Sequence, residues 1–178
     1  MHLGEKVCDR KMAAGVSLRD VIEEDLFKFF EFQLDPEANR MAAFTAKYPF
    51  DRDAFMRHWR KIMDDEEITI KTVLFDGQVA GSIVRYLMEG EPEVGYWIGK
   101  EFWGRGIATQ ALSEFLAVIQ ERPLYAHVAK DNFTSIRVLE KCGFGKIGEG
   151  KEFSNARGEE VEEYVFKLGP SQGEAEVC

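Results

Sequence analysis

The feature that most constrains the fold is a strand, a glycine-containing loop, a helix and a second strand in succession between residues 94 and 128. The segment 94–99 is rich in residues that favour strands, and apolar residues recur at helical spacing from 106 to 120. The apolar segment 124–128 indicates the next strand. Because a helix separates the two strands, we expect them to lie parallel in one sheet.

The segments on either side of this unit predict an α+β fold class. Strands 68–75 and 78–87 flank an Asp76-Gly77 hairpin turn and continue, after a turn-like 89–93, into strand 94–99, which makes an antiparallel meander. The sheet is therefore mixed, mostly antiparallel, and flanked by helices. Further elements are predicted at 16–21 (strand), 23–46 (helix broken at Asp35-Pro36), 51–63 (helix), 132–141 (helix closed by Gly143) and 145–168 (hairpin turning at 154–158).

Length and composition predict one domain at 16–168 between flexible tails at 1–15 and 169–178. The chain has 178 residues, of which 45% are hydrophobic, enough for one well-buried core. No segment has the pattern of a membrane span or a signal peptide, and the three cysteines have neither metal-ligand nor disulfide-framework spacing. These features predict a cytoplasmic protein without a metal. A net charge of -9 argues against a nucleic-acid surface and mildly favours a cationic substrate.

Two glycines, Gly104 and Gly106, stand where the loop after strand 94–99 opens a helix. Backbone N–H groups at a helix start have no intrahelical partner, and the helix dipole is positive there, so this is a site for an anion. A side chain at either glycine would block a diphosphate, whereas the small Ala108 and Thr109 let the first turn sit close to the sheet. The alternative is that the glycines only make a tight turn.

A second motif, KDNFTSIRVLEKCGF at 130–144, favours the ligand-binding interpretation. Asp131 or Asn132 can cap the helix, and Ser135 follows within its first turn. Both helix starts come at the carboxyl ends of the two parallel strands, where ligands of open sheets bind. The two motifs therefore converge on one cleft.

These motifs resemble the GNAT acyltransferase superfamily, in the branch of the ribosomal-protein N-terminal acetyltransferases. GYWIGKEFWGRGIATQAL is similar to that branch's pyrophosphate loop, and NFTSIRVLEKCGF is similar to its N-x-x-S…L-E-K-x-G-F helix. The likeness covers roughly residues 16–168 in matching order. Trp103 replaces the Gln or Arg of the superfamily pattern, and an aromatic residue there is common in the ribosomal branch.

The resemblance implies a GNAT-like fold with a splayed parallel strand pair and acetyl-CoA as cosubstrate. It assigns the pyrophosphate to the backbone of the loop and the pantetheine arm to backbone near Ile98 and to the Asn132 side chain. Ser135 would protonate the departing thiolate, and a backbone N–H would polarise the thioester carbonyl. The cofactor-binding residues implied are Ile98, Trp103, Gly104, Arg105, Gly106, Ala108, Thr109 and Asn132.

A base is needed because an amine is protonated at pH 7. Glu93, at the head of strand 94–99, is the first candidate, with Glu89 and Glu91 as alternatives; a glutamate there can also be merely solvated. His127 is in reach, although a lone histidine in an apolar strand is more often a packed or hydrogen-bonded core residue. Cys142 is interpreted as packing. Exposed cations that could add positive charge for the adenosine phosphates are Arg105, Lys130, Arg137 and Lys141.

The predicted function is transfer of an acetyl group to a primary amine by direct attack in a ternary complex. The acceptor stays open between a protein N-terminus, a small metabolite and an amine antibiotic, and the oligomeric state stays open with a homodimer as one option. One alternative is an acyl-CoA-binding module without turnover. Another is a dinucleotide-binding unit, because Gly104-x-Gly106 follows a strand and Asp131 follows the next, although Thr109 stands where a third glycine belongs.

Overall fold

The computed structural model describes residues 15–170, which form seven strands, five α-helices and one short 3₁₀ turn. The predicted tails, 1–15 and 169–178, fall almost wholly outside these residues and stay predictions. The strands are β1 (Val16–Asp20), β2 (Thr69–Phe75), β3 (Gln78–Met88), β4 (Glu91–Ile98), β5 (Leu124–Ala129), β6 (Gly145–Ser154) and β7 (Glu159–Leu168). The helices are α1 (Asp25–Gln33), α2 (Pro36–Ala42), α3 (Arg52–Met63), α4 (Ile107–Val118) and α5 (Phe133–Lys141), with the 3₁₀ turn at Lys100–Phe102.

The strands form one sheet in the order β1-β2-β3-β4-β5-β7-β6. All neighbouring pairs are antiparallel except β4 and β5, which are parallel, so the predicted mixed sheet and the predicted meander are confirmed. Such a sheet is not the mostly parallel one of a dinucleotide-binding unit. β4 and β5 pair at a single position, Glu93 with Tyr125, and the ladder does not continue toward their carboxyl ends. The parallel pair is therefore splayed.

The start of β4 differs from the prediction. Residues 91–93 were expected to belong to a turn, but the hairpin turn is only Glu89-Gly90, because Met88 already pairs with Glu91. A two-residue turn is the shortest connection between antiparallel strands, and it leaves the following residues free to join the ladder. Glu93 is thus not at a strand head; it lies inside β4, opposite Tyr86, and is buried.

Helix boundaries follow local capping chemistry. The break between α1 and α2 is confirmed: the Asp35 carboxylate accepts a hydrogen bond from the Ala38 N–H at 2.8 Å, with Pro36 opening the helix. Asp51 caps α3 in the same way. The aromatic face of α3 packs on α1, with the rings of Phe29 and Trp59 4.8 Å apart, so these side chains build the core.

The two faces of the sheet carry different helices. Thr72, Ser82 and Trp97 are cross-strand partners, and the Thr72 hydroxyl donates to Asp25 of α1 at 2.6 Å, so α1 covers their face. Tyr96 points to the opposite face because side chains alternate along a strand, and it contacts α5. α4 packs beside α5. Glu93 is four residues before Trp97 in β4, so its side chain points to the same face of the sheet, the one that α1 covers.

Candidate active site

A cavity of about 540 Å³ lies where β4 ends and extends between α2, the first turn of α4 and α5. Among its lining residues are eight of the ten predicted site residues, so the two sequence motifs do converge. Those eight are Ile98, Trp103, Gly104, Gly106, Ala108, Thr109, Asn132 and Ser135. Arg105 and Glu93 are not among them. The roles of all ten stay predictions.

The first turn of α4 presents bare backbone to this cavity. Gly104 and Gly106 have φ values of +74° and +73°, which L-residues with a side chain rarely adopt, and a Cβ at either position would have no atom within 4 Å. Gly106 caps the helix without any side-chain hydrogen bond to its first N–H groups. The donors at the start of α4 therefore face open space of the kind that a diphosphate would fill.

Trp103 ties this loop to the end of β4. Its indole N–H donates to the Ile98 carbonyl at 2.8 Å. The Gly99 N–H donates to the Ala80 carbonyl of β3. Because backbone groups alternate in direction along a strand, the N–H and C=O of Ile98 point toward β5. β4 and β5 have already separated there, so the Ile98 N–H makes no ladder hydrogen bond. The Arg105 guanidinium lies 5.7 Å from the centre of the Phe75 ring, outside the cavity lining.

Ser135 is hydrogen-bonded to a tyrosine that the sequence analysis missed. The Ser135 Oγ lies 2.7 Å from the Tyr96 Oη, and the phenol also donates to the Ser135 carbonyl at 3.3 Å. Burial raises the pKa of Tyr96 more than the bond to Ser135 lowers it, so the phenol stays protonated. The pair can deliver a proton into the cavity. Alternation along β4 puts Tyr96 on the same face as Ile98, and this was the only available sequence signal.

The oxygen and the nitrogen of the Asn132 carboxamide are both hydrogen-bonded. Its Oδ1 accepts the Ser135 N–H at 3.1 Å, which caps α5, and its Nδ2 donates to the Met41 carbonyl at 3.0 Å. Capping was expected, whereas the contact with α2 was not. One N–H of the carboxamide is left for another partner.

The contact with Met41 is one of four side-chain hydrogen bonds that hold residues 40–45 against residues 132–157. The donors come from the loop before α5, from the end of β6 and from the β6–β7 turn, and the acceptors are backbone carbonyls at and just after the end of α2. They are Asn132 to Met41, Ser154 to Ala43, Asn155 to Thr45 and Arg157 to Arg40. These bonds fix the wall of the cavity that α2 provides.

Glu93 belongs to a buried polar cluster on the other face of the sheet from Ser135. Its Oε2 accepts the Tyr86 hydroxyl at 3.0 Å, and its Oε1 lies 3.2 Å from Nε2 of His127. The second ring nitrogen, Nδ1, lies 3.0 Å from Oε1 of Glu163. Glu93 and the Ser135–Tyr96 pair therefore lie on opposite faces of the sheet, on either side of the gap between β4 and β5. With Glu93 as a base and the pair as a proton donor, an amine and a thiol could meet in that gap.

His127 is a cation in this cluster at neutral pH. Its bond to Glu93 and its bond to Glu163 outweigh partial burial and raise the pKa of His127 to about 9. The hydrogen-bonded histidine that the sequence analysis allowed for is what the structure shows, with Glu93 and Glu163 as its partners. Glu163 was missed altogether, because the EEVEEYVF run indicates a solvated acidic strand, and nothing local in that run distinguishes the inward-facing glutamate.

The other candidates separate by their contacts. Arg137 and Lys141, one helical turn apart on α5, line the cavity and can face an anion. Lys130 does not line it and is paired with Glu149 at 2.7 Å. Burial raises the pKa of the Cys142 thiol, whose Sγ lies 3.5 Å from the Thr109 carbonyl, so this thiol is not activated.

Within residues 15–170, the His, Cys, Asp and Glu side chains make no group of three or more that could hold a metal ion. No helix in this range is long and apolar enough to cross a membrane.

Comparisons with known proteins agree with this architecture. Residues 16–145 match the family described as acetyltransferase (GNAT) domain. The chain is 24% identical over 166 residues to the uncharacterized N-acetyltransferase p20 of Bacillus licheniformis, covering 86% of this chain and 92% of that protein. The structure of RimL, a ribosomal L7/L12 alpha-N-protein acetyltransferase in complex with coenzyme A, superposes with a TM-score of 0.77 at 17% identity, covering 89% and 96% of the two chains. RimJ of Mycobacterium smegmatis, in complex with CoA-disulfide, gives a TM-score of 0.72 at 21% identity, covering 93% and 86%.

The family match spans most of the chain, and it includes β1, the glycine loop and the whole of α5. The structural likeness extends the shared fold to β6 and β7, and the family match confirms the resemblance to GNAT acyltransferases. The chain belongs to the GNAT acetyltransferase family.

Proposed function

We propose that this protein transfers an acetyl group from acetyl-CoA to a primary amine by direct attack in a ternary complex. The observation that carries the proposal is the single cavity that joins the bare α4 start to the Ser135–Tyr96 pair at the splay of β4 and β5. An anion site and a proton donor on one continuous surface fit a substrate with a diphosphate at one end and a thioester at the other.

Cosubstrate binding is assigned to backbone first and to side chains second. The N–H groups that follow Gly106 would hold the pyrophosphate, with Arg137 and Lys141 adding positive charge along α5. The backbone of Ile98 would pair with the pantetheine arm, and the free N–H of Asn132 would donate to it. The exposed Arg105, stacked near Phe75, is left for the adenosine phosphates at the outer end.

The chemistry is divided between the two faces of the sheet. Glu93 would take a proton from the acceptor ammonium, which frees a lone pair to attack the acyl carbon. A backbone N–H of β4 would stabilise the charge that develops on the carbonyl oxygen. Ser135, backed by the protonated Tyr96, would give a proton to the sulfur as the carbon–sulfur bond breaks.

The proposal is tested with a panel of amines and peptides incubated with acetyl-CoA, with products identified by mass spectrometry and thiol release measured in parallel. Ser135→Ala should lower the rate of thiol release by about 10²-fold, as for loss of a general acid. Ser113→Ala, on the exposed side of α4, is the matched control and should leave the rate unchanged. An unmodified protein that binds acetyl-CoA but releases no thiol with any amine would instead be a binding module.

The acceptor is proposed only as a class. Protein N-termini, small metabolite amines and amine antibiotics all carry the required group, and the protein-directed activity in the name of RimL is the reason to include N-terminal peptides in the panel. A cytoplasmic location and a homodimer stay predictions.

A further inference from the structure

A histidine held between two buried carboxylates is more than packing requires. The side chains of Glu93 and Glu163 are 6% and 8% exposed, while that of His127 between them is 34% exposed. Burying two carboxylates is costly unless each is compensated, and one imidazolium compensates only one charge. The cluster therefore has two carboxyl groups, of Glu93 and Glu163, for the single imidazole of His127.

Groups of every neighbouring strand contribute to the electrostatics on this face. Burial is the largest cause of the raised pKa of Tyr86, and negative charge from Glu93, Glu152 and Glu163 raises it further. These three acidic side chains therefore lie around the Tyr86 hydroxyl. His127 is the cation within it, and Lys167 lies over the Tyr125 ring beside it. The titratable groups around His127 are Tyr86 of β3, Glu93 of β4, Tyr125 of β5, Glu152 of β6, and Glu163 and Lys167 of β7.

Glu163 is arranged to act on the imidazole. Its Oε1 contacts Nδ1 of His127, and its side chain lies over Gly150 of β6, where a Cβ would come within 3.0 Å of that oxygen. Its Oε2 is buried without a hydrogen-bond partner. A carboxylate at Nδ1 keeps a proton on that nitrogen, so a neutral imidazole would direct its Nε2 lone pair at Glu93.

We propose that His127 is the residue through which the proton of the acceptor amine leaves Glu93, and that Glu163 is a positioning residue that sets the tautomer of His127. This inference rests on the proposed function. The Glu93 side chain is buried and both of its oxygens have a partner, Tyr86 on one and His127 on the other, so a proton that it takes from the bound ammonium has no direct exit to bulk water. His127 is the exposed member of the cluster.

The acceptor ammonium loses two protons, one through Glu93 and His127 and one on the side of the departing thiolate. The entering ammonium competes with the imidazolium for Glu93, and His127 releases one proton to solvent. An N–H bond of the ammonium then breaks as an O–H bond forms on Glu93, and that proton passes across 3.2 Å to Nε2, which restores the imidazolium. The amine lone pair attacks the thioester carbon. The second N–H proton passes to Ser135 as the Ser135 hydroxyl gives its own proton to the departing thiolate, so every protein group returns to its starting protonation state.

The first test needs no turnover. In protein labelled with ¹³C-histidine, His127 should titrate near pH 9, and Glu163→Gln should move that midpoint down by about one pH unit or more. Saturating n-propylammonium chloride should also lower it, because both cations use Glu93. The His58 signal, from the exposed face of α3, is the internal control and should not move with either change. A His127 midpoint near 6.5 that ignores Glu163→Gln would overturn the proposal.

The second test uses the best acceptor of the amine panel. The rate of the unmodified protein should rise toward pH 9, because His127 must lose its proton before it can accept one from Glu93. His127→Gln should lower kcat/KM by about 10²-fold at pH 7.5 and abolish this rise, while His58→Gln should change neither. Added imidazole should partly restore His127→Ala, which a structural role would not produce. Full activity and an unaltered pH profile in His127→Gln would reject the relay and leave the acetyltransferase proposal standing. Absence of thiol release in the unmodified protein would instead reject the acetyltransferase proposal, and the relay with it.

Discussion

Replacing Gly106 with leucine separates the cost of backbone strain from the loss of an anion site. Gly106 and Gly158 have nearly the same φ, +73° and +69°, and neither has an atom within 4 Å of a built Cβ. An L-residue in this conformation costs about 1–2 kcal/mol. Gly106→Leu and Gly158→Leu should therefore lower Tm alike, by about 2–8 °C in a chain of this size.

Only Gly106 lines the cavity, so binding should distinguish the two variants. A leucine there would occupy the space in front of the Ile107 and Ala108 N–H groups. Hydrogen bonds to charged groups contribute about 1.5–3 kcal/mol each, so losing two of them would weaken coenzyme A binding by about 10²–10⁴-fold. Gly158→Leu, in the β6–β7 turn, should bind coenzyme A like the unmodified protein.

Isothermal titration calorimetry with coenzyme A, paired with thermal unfolding of each variant, measures both quantities. An anion site at the start of α4 is refuted if Gly106→Leu binds coenzyme A within about threefold of Gly158→Leu while the two variants share the same loss of Tm. In that case the glycines would serve only the turn, as the alternative from the sequence holds.

Three further predictions concern other parts of the molecule. Burial alone would raise the pKa of Asp25, but hydrogen bonds from Arg19, Thr72 and the Ile22 N–H lower it below its usual value, so this carboxylate stabilises the fold above about pH 4 and stops doing so as pH falls through its folded-state pKa. Asp25→Ala should cost about 3–5 kcal/mol at pH 7 in urea unfolding and much less near pH 2; an equal loss at both would contradict the linkage. Tyr96→Phe should lower kcat by about 10²-fold, and the Ser135→Ala/Tyr96→Phe double variant should be no slower than the slower single one, whereas multiplied losses would mean that the hydroxyls act separately. Trp103→Phe, which removes the 2.8 Å bond to the Ile98 carbonyl, should raise the KM for acetyl-CoA by about fivefold with kcat unchanged, and a change confined to kcat would count against a binding role.

Local patterns were enough to predict most of the fold. Interactions within a few residues set the alternation of apolar and polar residues along the strands, the Asp76-Gly77 turn and the Asp35-Pro36 helix break. The structure has the corresponding elements. The convergence of the two helix starts also followed, because two parallel strands in one sheet must end at the same edge. The predicted start of β4 was wrong, because the turn-forming residues of EGEPE (89–93) suggested a five-residue turn, whereas the turn itself is only Glu89-Gly90.

The polar contacts of the candidate site required the tertiary structure. Ser135 and Tyr96 are 39 residues apart, and the sequence offers no sign that their hydroxyls meet. The same holds for Glu163, which is 36 residues from the histidine that it contacts. Long-range pairs depend on strand order, and the insertion of β7 between β5 and β6 is what brings Glu163 beside His127.

The sequence by itself determined the elements, the glycine loop and the family, because these depend on backbone preferences and on short spacings that are fixed along the chain. Tertiary structure alone decided which face of the sheet each polar side chain uses and how charged it is. A carboxylate such as Glu93 has the same chemistry wherever it stands in a sequence. Its burial and its two partners, Tyr86 and His127, exist only once three strands lie side by side.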